Sequence, residues 1–153
     1  MKKGEMLSTM LVLAVNSHFG QYDKGGQPYI LHPLKVMHYL DSDDEELNCM
    51  AVGHDLIEDC KAVTYELLRS MSFTERVVLG IRALTRLPGQ TDDEYEAQVL
   101  LNPDAIKVKL CDLRHNSDIR RLKGVLEKDI KRMIRYNHFY LKLKDARPQY
   151  KGI

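Results

Sequence analysis

The stretch Gly53-His54-Asp55-Leu56-Ile57-Glu58-Asp59 constrains this chain more than any other seven residues. It places an adjacent His-Asp pair and an adjacent Glu-Asp pair on what reads as one helix. Residues four apart share a helical face, so His54 is expected to stack with Glu58, and Asp55 with Asp59. Leu56 and Ile57 fill the positions between and can face the core. Three carboxylates and an imidazole among apolar residues repel and desolvate one another without a partner. A divalent cation is the natural partner, which points to metal-dependent hydrolysis.

The rest of the pattern is helical. Residues 5–19 carry Met6, Leu7, Met10, Leu11, Leu13, Ala14 and Val15 at helical spacing. Gly25-Gly26 and Pro28 mark residues 20–28 as a loop. A short helix is expected over 32–40, with Pro33 in its first turn. The acidic run 41–46 opens the next helix, where negative charge suits the positive dipole end; that helix should run to about Cys60. Another is expected over 64–71. Ser72-Phe73-Thr74-Glu75 and Thr91-Asp92-Asp93-Glu94 both have capping-box form, and the first should start a helix ending near residues 87–89. Asn102-Pro103 reads as N-cap and N1 proline of a helix to about Leu122. Gly124 breaks it, and a last helix is expected over 126–146, stopped before Pro148. Val77-Val78-Leu79 is a weak strand signal that Ile81 and Leu84 return to helical spacing. The fold class is all-α.

At 153 residues the chain is expected to be one domain, 1–153. The net charge of +1 carries no field suited to duplex nucleic acid. The longest apolar run, residues 10–15, is far too short to span a bilayer. Glu5 and Ser8 interrupt the N-terminal segment against a signal-peptide reading, so a cytoplasmic location is expected. Cys49, Cys60 and Cys111 are odd in number and without paired spacing, which excludes a disulfide framework or zinc ribbon. No feature sets the oligomeric state.

Few residues could complete a metal site. His32 follows the glycine-rich loop at a helix entry. Asp112 has apolar neighbours, and a lone buried acid is costly unless paired; an arginine partner is the alternative to a ligand role. Asn116 lies one turn further on the same face. His38, His115 and His138 have no partner that sequence identifies and are expected to be structural.

These segments resemble the HD-domain phosphohydrolases, and more specifically the hydrolase domain of the RelA/SpoT alarmone family, including its small single-domain members. The resemblance covers roughly residues 18–121. It rests on four segments in the family's order: His18-Phe19-Gly20-Gln21 with Pro28-Tyr29-Ile30-Leu31-His32-Pro33; His54-Asp55-Leu56-Ile57-Glu58-Asp59; Leu84-Thr85-Arg86-Leu87; and Lys109-Leu110-Cys111-Asp112-Leu113-Arg114-His115-Asn116. It implies a compact helical bundle in which His32, His54, Asp55 and Asp112 bind one metal. That nitrogen/oxygen set without thiolate suits Mn²⁺, with Fe²⁺, Co²⁺ or Zn²⁺ as alternatives. It implies that Glu58 and Asp59 orient or deprotonate the attacking water while the metal lowers its pKa.

For the substrate, Lys24 matches a family lysine, and Asn116 a residue near the nucleoside. Arg132 and Tyr136 share a face of the last helix, at the distance from Asp112 of a phosphate-binding arginine and a tyrosine in small members. Asp23 stands where an arginine is expected, Gln27 where an acid is usual, and Ile119 where a polar residue is common. Asp23 reverses a charge and cannot itself replace a stacking guanidinium plane. The resemblance implies metal-dependent removal of the 3′-pyrophosphate from guanosine tetra- or pentaphosphate, leaving GDP or GTP. The alternatives are an HD phosphohydrolase for another phosphorylated nucleotide, or a nucleotide-binding sensor without turnover. The length leaves no room for a synthetase domain, so the chain is expected to degrade alarmone and not make it.

Overall fold

The computed structural model describes residues 2–147, and these contain nine α-helices and no strand. Of the expected 1–153 domain, Met1 and residues 148–153 lie outside the described residues, as does the helix stop at Pro148. The helices are α1 (Glu5–Ser17), α2 (Leu31–Leu40), α3 (Glu45–Gly53), α4 (Leu56–Asp59), α5 (Tyr65–Ser70), α6 (Glu75–Leu84), α7 (Asp92–Leu100), α8 (Pro103–Asn116) and α9 (Glu127–Ala146). A 3₁₀ turn at Ile119–Arg121 lies between α8 and α9.

Helix α3 is the centre of the bundle. Leu47, Cys49, Met50, Ala51, Val52 and Gly53 are all buried, so the helix is apolar around most of its circumference. It is packed by α1, α2, α6 and α8. Gly53 closes it in a crowded place: a Cβ there would lie 2.9 Å from both Met10 Sδ of α1 and Ile81 Cδ1 of α6, so those side chains would have to shift. The same crowding fixes where the next residue, His54, enters the site.

The caps explain most helix starts. Asp44 accepts the Glu46 and Leu47 amides, with Glu45 and Glu46 in the first turn. Thr91 and Glu94 form the expected capping box, and Asn102 caps α8 with Pro103 at its start.

Several expected boundaries differ: α6 ends at Leu84 rather than near residues 87–89, and three other departures have a visible cause. The helix expected to run to Cys60 is interrupted at His54 and Asp55. The His54 ring takes the Ala51 carbonyl at 2.8 Å, in competition with the helix ladder. The N-cap of α6 is Thr74, not Ser72: Thr74 Oγ1 accepts the Val77 amide. Ser72 instead terminates α5, with φ +64° and its amide donating to the Arg69 carbonyl. Helix α8 stops at Asn116 rather than near Leu122, because Asp118 accepts the Arg120 amide and opens the 3₁₀ turn.

Candidate metal centre and its cleft

Three helices that share the core deliver the central side chains. His32 enters from the first turn of α2, His54 and Asp55 from the break between α3 and α4, and Asp112 from α8. His32, His54 and Asp112 are 3%, 2% and 2% exposed, and their ligand atoms lie within 4.8 Å of one another. His32 Nε2 is 3.0 Å from Asp112 Oδ1 and 3.5 Å from Asp55 Oδ2. His54 Nε2 is 3.0 Å from Asp55 Oδ2 and 3.6 Å from Asp112 Oδ1. The structure thus brings these four residues together.

The tautomers follow from the outer partners. His54 Nδ1 bonds the Ala51 carbonyl and must donate, so the neutral ring presents a lone pair at Nε2. That Nε2 is buried without a hydrogen-bond partner among the described residues, and it faces two carboxylates. Lone pairs of two imidazoles and two carboxylates converging in a buried space need a cation between them. The donor set therefore fits a divalent metal.

Neighbouring groups orient these side chains. Tyr29 donates its hydroxyl to Asp55 Oδ2 at 2.7 Å. Lys109 Nζ donates to Asp112 Oδ2 at 2.8 Å, and Asn116 Nδ2 to Asp112 Oδ1 at 2.6 Å. His32 Nδ1 pairs with His115 Nδ1 at 2.7 Å, the rings stacked 13° from parallel. Burial, with the Arg121 and His32 charges, pushes His115 down to about 4, so it is neutral at neutral pH and can accept the His32 proton. Without a metal, and against burial, the carboxylates raise both histidines, which then carry protons; burial alone would raise the Asp112 carboxyl, and Lys109 with these protonated rings holds it well below the carboxylate range. Burial likewise opposes ionisation of Asp55, and His54 and His32 overcome it. Sequence reasoning missed Tyr29, Lys109 and His115. Lys109 was legible as an i, i+3 partner of Asp112; His115 lies 83 positions from His32 and gave no local signal.

The two acids of the motif part company. Glu58 does not stack on His54 as expected: it reaches the backbone amide of Arg86 and lines a cleft of about 410 Å³ together with Asp55 and Lys109. Asp59 is absent from that lining. Burial raises both carboxyls, Asp55 adds to the rise, and the Arg86 amide partly offsets it at Glu58.

A second cleft has a volume of about 310 Å³. Lys24, Asn116, Arg132 and Tyr136 all line it, together with His32. Tyr136 lines both clefts. Arg132 is held by Asp129, with 2.6 Å between them. The wall also carries Asp23 and Arg121, which pair at 3.0 Å. No described helix is long and apolar enough to cross a membrane.

No protein-family model matches the chain. A guanosine-3′,5′-bis(diphosphate) 3′-pyrophosphohydrolase of Vibrio cholerae is 32% identical over 138 residues, which is 85% of this chain and 20% of that protein. The bifunctional (p)ppGpp synthase/hydrolase SpoT of Escherichia coli K12 is 30% identical over 135 residues, covering 80% of this chain and 19% of that protein. The chain thus spans about a fifth of the length of these relatives. A solved structure from work on a metazoan ortholog of SpoT that hydrolyzes ppGpp has the same fold, with a TM-score of 0.75 and 20% identity, covering 100% of this chain and 99% of that one.

Proposed function

We propose that this RelA/SpoT hydrolase-domain-like protein is a metal-dependent phosphohydrolase that removes the 3′-pyrophosphate from guanosine tetra- or pentaphosphate, yielding GDP or GTP and pyrophosphate. The observation that carries this reading is the unpartnered, buried Nε2 of His54, set against His32, Asp55 and Asp112. The relatives' names supply the substrate class. Residues 1–153 are read as one HD domain.

His32, His54, Asp55 and Asp112 would hold the ion, which we take to be Mn²⁺ because the donors are nitrogen and oxygen only. A bound divalent cation supplies Lewis acidity toward water and the phosphoryl group. The remaining work falls to the chain. Glu58 keeps one oxygen on the Arg86 amide, and its second has no protein hydrogen bond among the described residues. It is the group that takes the proton of the attacking water, its carboxyl raised above the ordinary value by burial. Asp59, also raised, supports the same proton transfer. Lys24 and Arg132 place positive charge in the second cleft, where the nucleotide's phosphates would lie. Asn116 ties that cleft to the centre through Asp112, and Tyr136 stands where the two clefts meet.

The test is purified protein with Mn²⁺ and guanosine tetraphosphate, scored for GDP and pyrophosphate with an EDTA control. Metal-dependent release of both products is expected. No release with metal bound would overturn the substrate and direct the same assay to other phosphorylated nucleotides. Tight binding without hydrolysis of any would identify a sensor.

A further inference from the structure

The loop over residues 20–28 and the 3₁₀ turn Ile119–Arg121 are fastened together across the second cleft. Asp23 Oδ1 accepts the amides of Gly25 and Gln27 at 2.8 and 2.9 Å, which fixes the carboxylate against its own loop. Its other oxygen accepts Arg121 Nη2 at 3.0 Å, across 98 positions of sequence. Gly25 backs onto the turn so closely that a Cβ would lie 2.2 Å from the Arg121 carbonyl oxygen. On its far side, Arg121 Nη1 donates to the His115 carbonyl and to Asn116 Oδ1 at 3.1 and 3.2 Å.

These contacts decide what Arg121 can offer a ligand. Three of the guanidinium's five N–H donors are already spent on protein acceptors. Phosphate recognition uses the forked edge, and Asp23 takes one donor on that edge and offsets the charge. Arg121 lines the cleft, and three acceptors hold its guanidinium in one plane. Guanidinium planes stack on aromatic rings.

We infer that Arg121 is the platform on which the nucleobase stacks, with Asp23 and Gly25 setting its plane; this rests on the nucleotide reading above. Asp23 is then a positioning residue. The guanidinium absent from position 23 is supplied by the residue that pairs with Asp23 in the same wall, and Lys24 and Arg132 are left to the phosphates.

The test is calorimetric binding of GDP and of inorganic pyrophosphate, with Mn²⁺, to wild type, Arg121→Ala, Arg121→Lys and Asp23→Asn. Arg121→Ala should weaken GDP by about 10-fold, the scale of one lost base stack, and leave pyrophosphate affinity unchanged. Arg121→Lys should fail to restore GDP, because an ammonium has no face. Asp23→Asn, which keeps Arg121 and disturbs only its aim, should give a smaller loss confined to GDP, and it serves if Arg121→Ala does not fold. Equal weakening of both ligands, full GDP affinity with lysine, or no GDP binding by wild type would each overturn the platform. Arg121-dependent GDP binding in a protein that cannot hydrolyse guanosine tetraphosphate would sink the proposed reaction alone. Turnover with a KM untouched by Arg121→Ala would sink the platform alone.

Discussion

His32, His54 and Asp112 are almost wholly buried and come from α2, α8 and the end of α3, which pack directly on one another. Asp23, Lys24 and Arg121 stand on a loop and a 3₁₀ turn outside the buried apolar core. The first group is positioned by the core, so any disturbance of it also disturbs the bundle. The second is positioned by hydrogen bonds between the loop, the turn and the end of α8. On the proposed function, metal chemistry would fall to the buried floor and the choice of nucleotide to the wall.

The largest effect that would break this division is expected at Asp55. Asp55→Ala removes the oxygen nearest His54 Nε2 and the acceptor of the Tyr29 hydroxyl. Metal, read by elemental analysis after dialysis, and turnover should be lost together. Retention of stoichiometric metal would show that the floor does not depend on this carboxylate. Glu58→Gln should keep the metal and lower the rate by about 10²- to 10⁴-fold, the usual worth of a positioned general base. The pH–rate profile sharpens the prediction. Burial raises the Glu58 carboxyl, so its active, ionised form is lost as pH falls through a value above the ordinary 4.5. The wild type should show an acid limb there, and the Glu58→Gln protein should not. The linkage sign is the reverse of an ion-paired acid: with its folded pKa raised, Glu58 destabilises the fold once ionised. Metal-free Glu58→Gln should then melt no lower than wild type at neutral pH, and an unaltered rate would end the proposed role.

Much of the floor and of the helices around it was legible because these residues sit in helical context with strong local signals. The His-Asp and Glu-Asp pairs, the Thr91–Glu94 box and the Asn102-Pro103 start are all read within a few positions. The break at residues 54–55 was not, because it arises when the His54 side chain takes the Ala51 carbonyl, a choice periodicity does not encode. Nor was Ser72, whose Thr/Ser-x-x-Glu-like neighbourhood mimics a helix start while its backbone closes the previous helix. The wall was least legible. Asp23 alone reads as a lost cation, and only the fold shows the arginine that meets it from residue 121.

A smaller effect is expected at His115, where floor and wall meet. It accepts from His32 and abuts the Arg121 charge. His115→Leu should weaken metal affinity by about 10- to 100-fold, the usual cost of removing the partner of a ligating histidine. His115→Gln, which can still accept, should recover part of it. Equal metal affinity in the His115→Leu and wild-type proteins would reduce His115 to a packing residue.

The smallest effect serves as the reference. Thr91 caps α7 outside the floor, with Oγ1 accepting the Glu94 amide and its own amide donating to Glu94. Thr91→Ala removes one half of that box and should cost about 1 kcal/mol of stability in chemical denaturation. Yet α7 also carries Tyr95, whose hydroxyl holds the Leu84 carbonyl at 2.7 Å and whose ring lies 5.2 Å from Lys109 Nζ. If the floor is fixed by α2, α3 and α8 alone, fraying the start of α7 leaves metal affinity and kcat at wild-type values. A fall in metal affinity on Thr91→Ala would instead place α7 in the floor, through Tyr95 and the lysine that holds Asp112.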